Sequence, residues 1–218
     1  MQSSSVKTAP REQAPTVKLA EIRQTVANYL TRPMVRLLAR TAITPNIITW
    51  FSFVLSAGAA ALIFTNHLFA AGFMVLVAGL FDLLDGALAR HTDQVTRFGG
   101  VLDSTLDRIA EALLLLAILI LYAKEGSTLG ILLAGIALPS SQMVSYIRAR
   151  AEVANLECKV GLFTRGERVI VLALGLLLSR IDYALIIALS VIVFFSLFTA
   201  GQRLWHVWQQ TKTDRLST

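Results

Sequence analysis

The sequence predicts an all-α integral membrane protein, with six transmembrane helices preceded by an interfacial amphipathic helix. Three observations predict it. Of 218 residues, 55% are hydrophobic and 16% charged, a balance too apolar for a soluble domain. Six apolar stretches, at about 46–66, 68–88, 101–122, 127–147, 168–180 and 182–202, are candidates to cross the roughly 30 Å of bilayer hydrocarbon. Eighteen of the twenty Lys and Arg fall on one side of such a bundle, leaving only Lys124 and Arg180 opposite. The positive-inside rule makes the basic side cytoplasmic. The expectation is a multi-pass protein of the cell membrane with both termini in the cytoplasm. The same distribution explains the net charge of +6 as topology, so nucleic acid is not expected as a partner.

Residues 1–17 contain Ser3-Ser4-Ser5 and two prolines but no apolar run, and they read as a disordered cytoplasmic tail rather than a cleaved leader. Residues 18–40 set Leu19, Ile22, Val26, Leu30, Val35, Leu37 and Leu38 among Lys18, Arg23, Arg32, Arg36 and Arg40. This pattern suits a helix in the headgroup layer, apolar side down and arginines toward anionic lipid, kinked or divided at Pro33. Residues 41–210 form the six-helix domain. Thr44-Pro45 opens its first span as N-cap and first helical residue, and Asn46 and Thr49 are polar at i and i+3, suited to capping or to substrate contact. The fifth stretch is the shortest. Residues 211–218 are expected to be a second cytoplasmic tail. The single cysteine, Cys158, cannot close an internal disulfide and reads as an ordinary loop residue.

The chemistry is concentrated at one level. Asp82 and Asp85 lie three apart at the end of the second span, and Asp103 and Asp107 four apart at the start of the third. Each pair shares a helix face, and the connection from Arg90 to Gly99 is long enough to lay the two faces together. A carboxylate at bilayer depth costs roughly 2.5–3.5 kcal/mol on insertion scales, so such groups mark function with a definite partner. Four of them raise one another's pKa unless a cation neutralises them. With all-oxygen ligands and no His or Cys cluster, the expected cofactor is Mg²⁺ or Mn²⁺, as two ions suited to displacement at phosphorus. Gly86 and Ala89 remove bulk beside the acids, Arg90 can clamp a phosphate oxygen, and Gly99 and Gly100 permit a tight start to the third span. No Gly-rich phosphate loop of the strand-to-helix kind occurs. Glu111 continues the stripe of Asp103 and Asp107 one turn deeper, as a hydrogen-bonding support for the acids or as a pair for a neighbouring helix.

The pattern D-x2-D-G-x2-A-R-x8-G-x3-D-x3-D, running from Asp82 to Asp107, resembles the signature of the CDP-alcohol phosphatidyltransferases without a departure. The resemblance covers roughly residues 30–210. It implies a six-helix membrane enzyme, usually a homodimer, that moves a phosphatidyl group from CDP-diacylglycerol to an alcohol and releases CMP. By position in the motif, Asp82, Asp85, Asp103 and Asp107 correspond to the metal ligands, and Asp107 also to the catalytic general base. Gly86, Ala89 and Arg90 correspond to the CDP-lipid contacts, to which Asn46 and Thr49 are added as candidates.

The acceptor is read from a second, basic cluster: Ser141 to Glu152, with Ser145, Arg148 and Arg150, ending the fourth span, Thr164-Arg165-Gly166-Glu167-Arg168 opening the fifth and Gly201-Gln202-Arg203 closing the sixth. Arginines at several helix ends can converge on a phosphate, which a neutral acceptor does not require. These segments resemble the bacterial phosphatidylinositol phosphate synthase branch, which uses inositol 1-phosphate. That implies an acceptor phosphate pocket of Ser145, Arg148, Arg168 and Arg203. Where the branch commonly carries lysine, this chain has Arg148. The rival acceptor within the family is glycerol 3-phosphate, and the rival class is a divalent-cation transporter. The second is disfavoured because the acids cluster at one level instead of crossing the bilayer.

Overall fold

The computed structural model describes residues 33–39, 41, 43–158 and 160–217, with side chains through Lys212. Among these residues every regular element is helical: α1 over 33–38, then α2 (Pro45–Phe64), α3 (Leu68–His91), α4 (Arg97–Glu125), α5 (Thr128–Val153), α6 (Arg165–Leu177) and α7 (Ala184–Ser217). Each of α2 to α7 overlaps one apolar stretch expected from the sequence. The disordered tail over 1–17 and most of the interfacial helix, 18–32 and Arg40, lie outside the described residues. In α1, Val35 is buried against Ile48, Leu84 and Leu88 while Leu37 is exposed. The tail expected from 211 is helical through Ser217, as the end of α7.

Four helices, α2, α3, α5 and α7 over Ala184–Lys212, are long and apolar enough to cross a membrane. The other two fall short for different reasons. The 13 residues of α6 rise about 20 Å at ~1.5 Å per residue, less than the hydrocarbon thickness. The 29 residues of α4 are long enough but carry Asp103, Asp107, Arg108 and Glu111 in their first half. Trp50, Phe51, Phe69, Phe73, Phe194 and Phe198 point outward and are exposed. So much outward aromatic surface is a poor match for water and a natural one for lipid.

One apolar core runs through α2 to α7, from Ile63 and Val75 through Leu115 and Ile118 to Leu176, Leu189 and Ile192. α4 packs against α2 and α5, whereas α6 packs against α3 and α7. Close approach relies on small residues: a Cβ on Gly72 would meet the Leu177 amide nitrogen at 2.8 Å. Two helix ends fix the site. Thr96 caps α4 by accepting a hydrogen bond from the Gly99 amide at 3.0 Å. At the start of α6 the Glu167 carboxylate accepts from the Thr164 amide at 2.7 Å and from its hydroxyl at 2.6 Å, which holds the first turn in a capping-box arrangement.

Candidate functional site

The end of α3 and the start of α4 meet across a short connection, residues 92–96, in which Asp93 adopts φ 53°. This return brings one ligand oxygen each from Asp82, Asp85 and Asp103 within 4.8 Å of one another. The donor set is all oxygen, small in span and anionic, and it fits a hard divalent cation. Thr49 of α2 orients one member: its hydroxyl lies 2.7 Å from Asp85 Oδ2 and donates to it.

The fourth acid lies beside Asp82 but outside the close grouping of three. Asp107 Oδ1 pairs with Arg165 Nη2 at 2.7 Å, and Arg165 Nη1 donates to Asp82 Oδ2 at 2.6 Å. One guanidinium therefore ties α3 and α4 together. Arg165 is the first residue of α6, where the helix dipole disfavours a cation, so its position depends on these two carboxylates. One turn along both helices, Arg168 makes a bidentate pair with Glu111, Nε to Oε1 at 2.6 Å and Nη2 to Oε2 at 3.0 Å. Of the two roles considered for Glu111, the geometry supplies the inter-helix pair.

Two open cavities flank the acids. The first, about 270 Å³, is lined by Asn46, Thr49, Asp85, Gly86, Ala89, Arg90 and Asp103 among others, so every residue named as a candidate CDP-lipid contact borders one space. Arg90 folds back over Gly86, where an added Cβ would lie 3.3 Å from its Nη1. Gly99 is constrained by both helices, since a Cβ would sit 2.9 Å from Thr96 Oγ1 and 3.2 Å from Asn46 Oδ1.

The second cavity, about 540 Å³, is bordered by Asp107, Arg108, Glu111, Ser145, Arg148, Arg165 and Arg203 among others. Three of the four residues named for the acceptor phosphate are here, and Arg168 is the exception. It is 2% exposed, sits behind Glu111 and faces a small interior cavity instead. The arginine that reaches the large cavity from α6 is Arg165, which the sequence placed in the basic cluster but not among the four phosphate-pocket residues. Its signal was an arginine placed at a helix N-terminus, against the dipole. Arg203 is buried, and its Nε donates to the Val160 carbonyl at 2.9 Å while Nη1 donates to that of Val144. Gly161, at φ 141°, makes room for this, since a Cβ there would lie 3.1 Å from Arg203 Nε. Arg148 is exposed and pairs with Glu152 at 2.9 Å. Cys158 is buried, and burial pushes its thiol pKa up, which disfavours the reactive thiolate.

Comparison with known proteins matches the family model described as CDP-alcohol phosphatidyltransferase to residues 42–208. The chain is 34% identical to the archaetidylinositol phosphate synthase of Methanothermobacter thermautotrophicus over 89% of its length and all of that protein. It is 38% identical to the phosphatidylinositol phosphate synthase of Mycobacteroides abscessus, covering 85% of this chain and 86% of the relative. Among solved structures it resembles the Mycobacterium tuberculosis phosphatidylinositol phosphate synthase with CDP-DAG bound, at 36% identity and TM-score 0.74, over 83% of this chain and 94% of that one. The same enzyme in complex with manganese and citrate matches with TM-score 0.74 and 36% identity, over 82% and 88% of the two chains.

Proposed function

This chain belongs to the CDP-alcohol phosphatidyltransferase family, as a membrane-bound transferase of phospholipid biosynthesis, and from that premise we propose that it transfers a phosphatidyl group from CDP-diacylglycerol to inositol 1-phosphate. The products are phosphatidylinositol phosphate and CMP. The observation that carries the acceptor is the 540 Å³ cavity beside Asp107, where Arg108, Arg148, Arg165 and Arg203 stand alongside Asp107, Glu111 and Glu152 and offer donors to an anion. The relatives add support: their names differ in the lipid and agree in the inositol phosphate product.

The CDP-lipid occupies the cavity of Asn46, Thr49, Gly86, Ala89 and Arg90, with its pyrophosphate toward the acids. Asp82, Asp85 and Asp103 would hold the divalent cation, Mg²⁺ or Mn²⁺, and Asp107 joins them where a second ion binds. A cation there supplies positive charge against the phosphate oxygens. The relative crystallised with manganese supports this metal chemistry.

On the other side, Ser145, Arg148 and Arg203, together with Arg165, hold the acceptor phosphate and orient its inositol hydroxyl toward the β-phosphorus. Asp107 Oδ2, the oxygen opposite the one paired with Arg165, takes the hydroxyl proton. The inositol oxygen forms the new bond to phosphorus, the bond to the CMP oxygen breaks, and CMP leaves with the electron pair. Arg168 serves from behind this wall, through Glu111.

The full chain forms six membrane segments, with α4 and α6 shielded by their longer neighbours, and it acts as a homodimer with both termini and the active site cytoplasmic. The catalytic domain is residues 41–210, and 211–218 form its cytoplasmic end. The test of the reaction is CMP release from CDP-diacylglycerol in the presence of a panel of acceptors.

A further inference from the structure

The buried Glu111–Arg168 pair belongs to neither substrate cavity alone, yet it is built at a cost. Taking two charges out of water is offset only by excellent geometry, and a well-packed apolar pair is often as stable or more so. The geometry here is bidentate, and the two side chains are 8% and 2% exposed. They also stand where α4 and α6, each packed mainly on other helices, face one another across the interior.

Two rungs bridge that gap: Asp107 to Arg165 near the cavity mouth and Glu111 to Arg168 one turn deeper. Glu111 borders both the large cavity and a small interior one with about 30 Å³ of room for water. Two buried donors, Arg165 Nε and Arg168 Nη1, have no hydrogen-bond partner among the described residues, and both residues line that small cavity together with Ser52 and Ser56. The space is mostly apolar, lined by Val75, Leu114, Leu115 and Leu172 among others, with these polar groups on one part of its wall and room for a single water. The deep rung thus forms the floor under Arg165.

We propose that Glu111 is a positioning residue: its pair with Arg168 fixes the first turn of α6 so that Arg165 stays between Asp82 and Asp107 and the acceptor cavity keeps its floor. The inference rests on the phosphatidyl-transfer reading above. Glu111 touches no reacting atom in this account. Without it, Arg168 is a buried cation that has lost its carboxylate, one turn along α6 from the arginine that holds Asp82 and Asp107.

The test is the double variant Glu111→Leu/Arg168→Met, beside Glu111→Gln and Glu111→Asp, all purified in detergent or nanodiscs and assayed for CMP release with both substrates varied. The apolar pair removes both charges, so its Tm should equal or exceed that of the parent. Its kcat should nonetheless fall on the order of 10²-fold, as misplacement by about 1 Å does elsewhere, with the KM for CDP-diacylglycerol within about twofold of the parent. Glu111→Asp, which keeps the charge, should recover part of the loss that Glu111→Gln shows. A folded double variant with parental kcat overturns the proposal and leaves the pair a packing element, while Asp107→Asn still reports on the transfer reaction. If the double variant does not fold, Glu111→Asp and Glu111→Gln decide: equal kcat in the two also overturns it. Absence of CMP release by the parent with every acceptor would instead remove the reading beneath.

Discussion

The acidic and basic halves of the site differ in how they are built. The acidic half comes from two adjacent helices and a five-residue connection, 92–96, with its ligands at i, i+3 and i+4. The basic half gathers residues from α5, α6 and α7, separated by long stretches of chain, and its geometry depends on which carboxylate each arginine finds. Short-range helical spacing decides the first, and tertiary pairing decides the second.

Chelation should separate the halves most sharply. With EDTA, turnover should vanish, and Mg²⁺ or Mn²⁺ should restore it, because Asp82, Asp85 and Asp103 offer only hard oxygen donors. Asp82→Ala or Asp85→Ala should raise the metal concentration required. Full CMP release in chelator would remove the cation from the acidic half altogether.

Next in size is Asp107→Asn, which keeps volume but cannot accept a proton. Turnover should drop about 10²–10⁴-fold, the usual contribution of a general base, while CDP-lipid binding, measured by retention of labelled lipid, is largely kept. A variant with more than about a tenth of the parental rate would mean that the base lies elsewhere.

Arg165→Ala tests where one half ends and the other begins. Arg165 touches Asp82 and Asp107 but also borders the acceptor cavity. Loss of a charge-assisted hydrogen bond of roughly 1.5–3 kcal/mol should raise the acceptor KM about ten- to a hundredfold and leave that for CDP-diacylglycerol nearly unchanged. The reverse pattern would assign Arg165 to the acidic half.

These differences also explain what was legible in the sequence. The helices α2 to α7 were visible because their apolar runs are long and separated by short polar stretches, the first opened by Thr44-Pro45, which stands at the N-terminus of α2. The acidic trio was visible because a helix turns spacing into proximity. Six crossings were expected where four of the described helices meet the length and composition of a span; α6, at 13 residues, is as short as its apolar run and is displaced three residues toward the N-terminus, where Arg165 opens it. The choice between Arg165 and Arg168 was hidden. Both are arginines at the start of one helix, and only the position of Glu111 one turn below Asp107 turns Arg168 inward. The hydrogen bond from Thr49 to Asp85 was hidden for the same reason, as it joins residues 36 apart.

The central claim is that the basic half holds a phosphate on the acceptor. It is tested most directly by initial rates of CMP release from CDP-diacylglycerol, with Mg²⁺ or Mn²⁺ present, comparing inositol 1-phosphate, free inositol and glycerol 3-phosphate at matched concentrations. The account predicts rapid release with inositol 1-phosphate and little with free inositol, because free inositol offers no phosphate for Arg148, Arg165 and Arg203 to hold in place. Equal rates for free inositol and inositol 1-phosphate, or release with glycerol 3-phosphate alone, would contradict it.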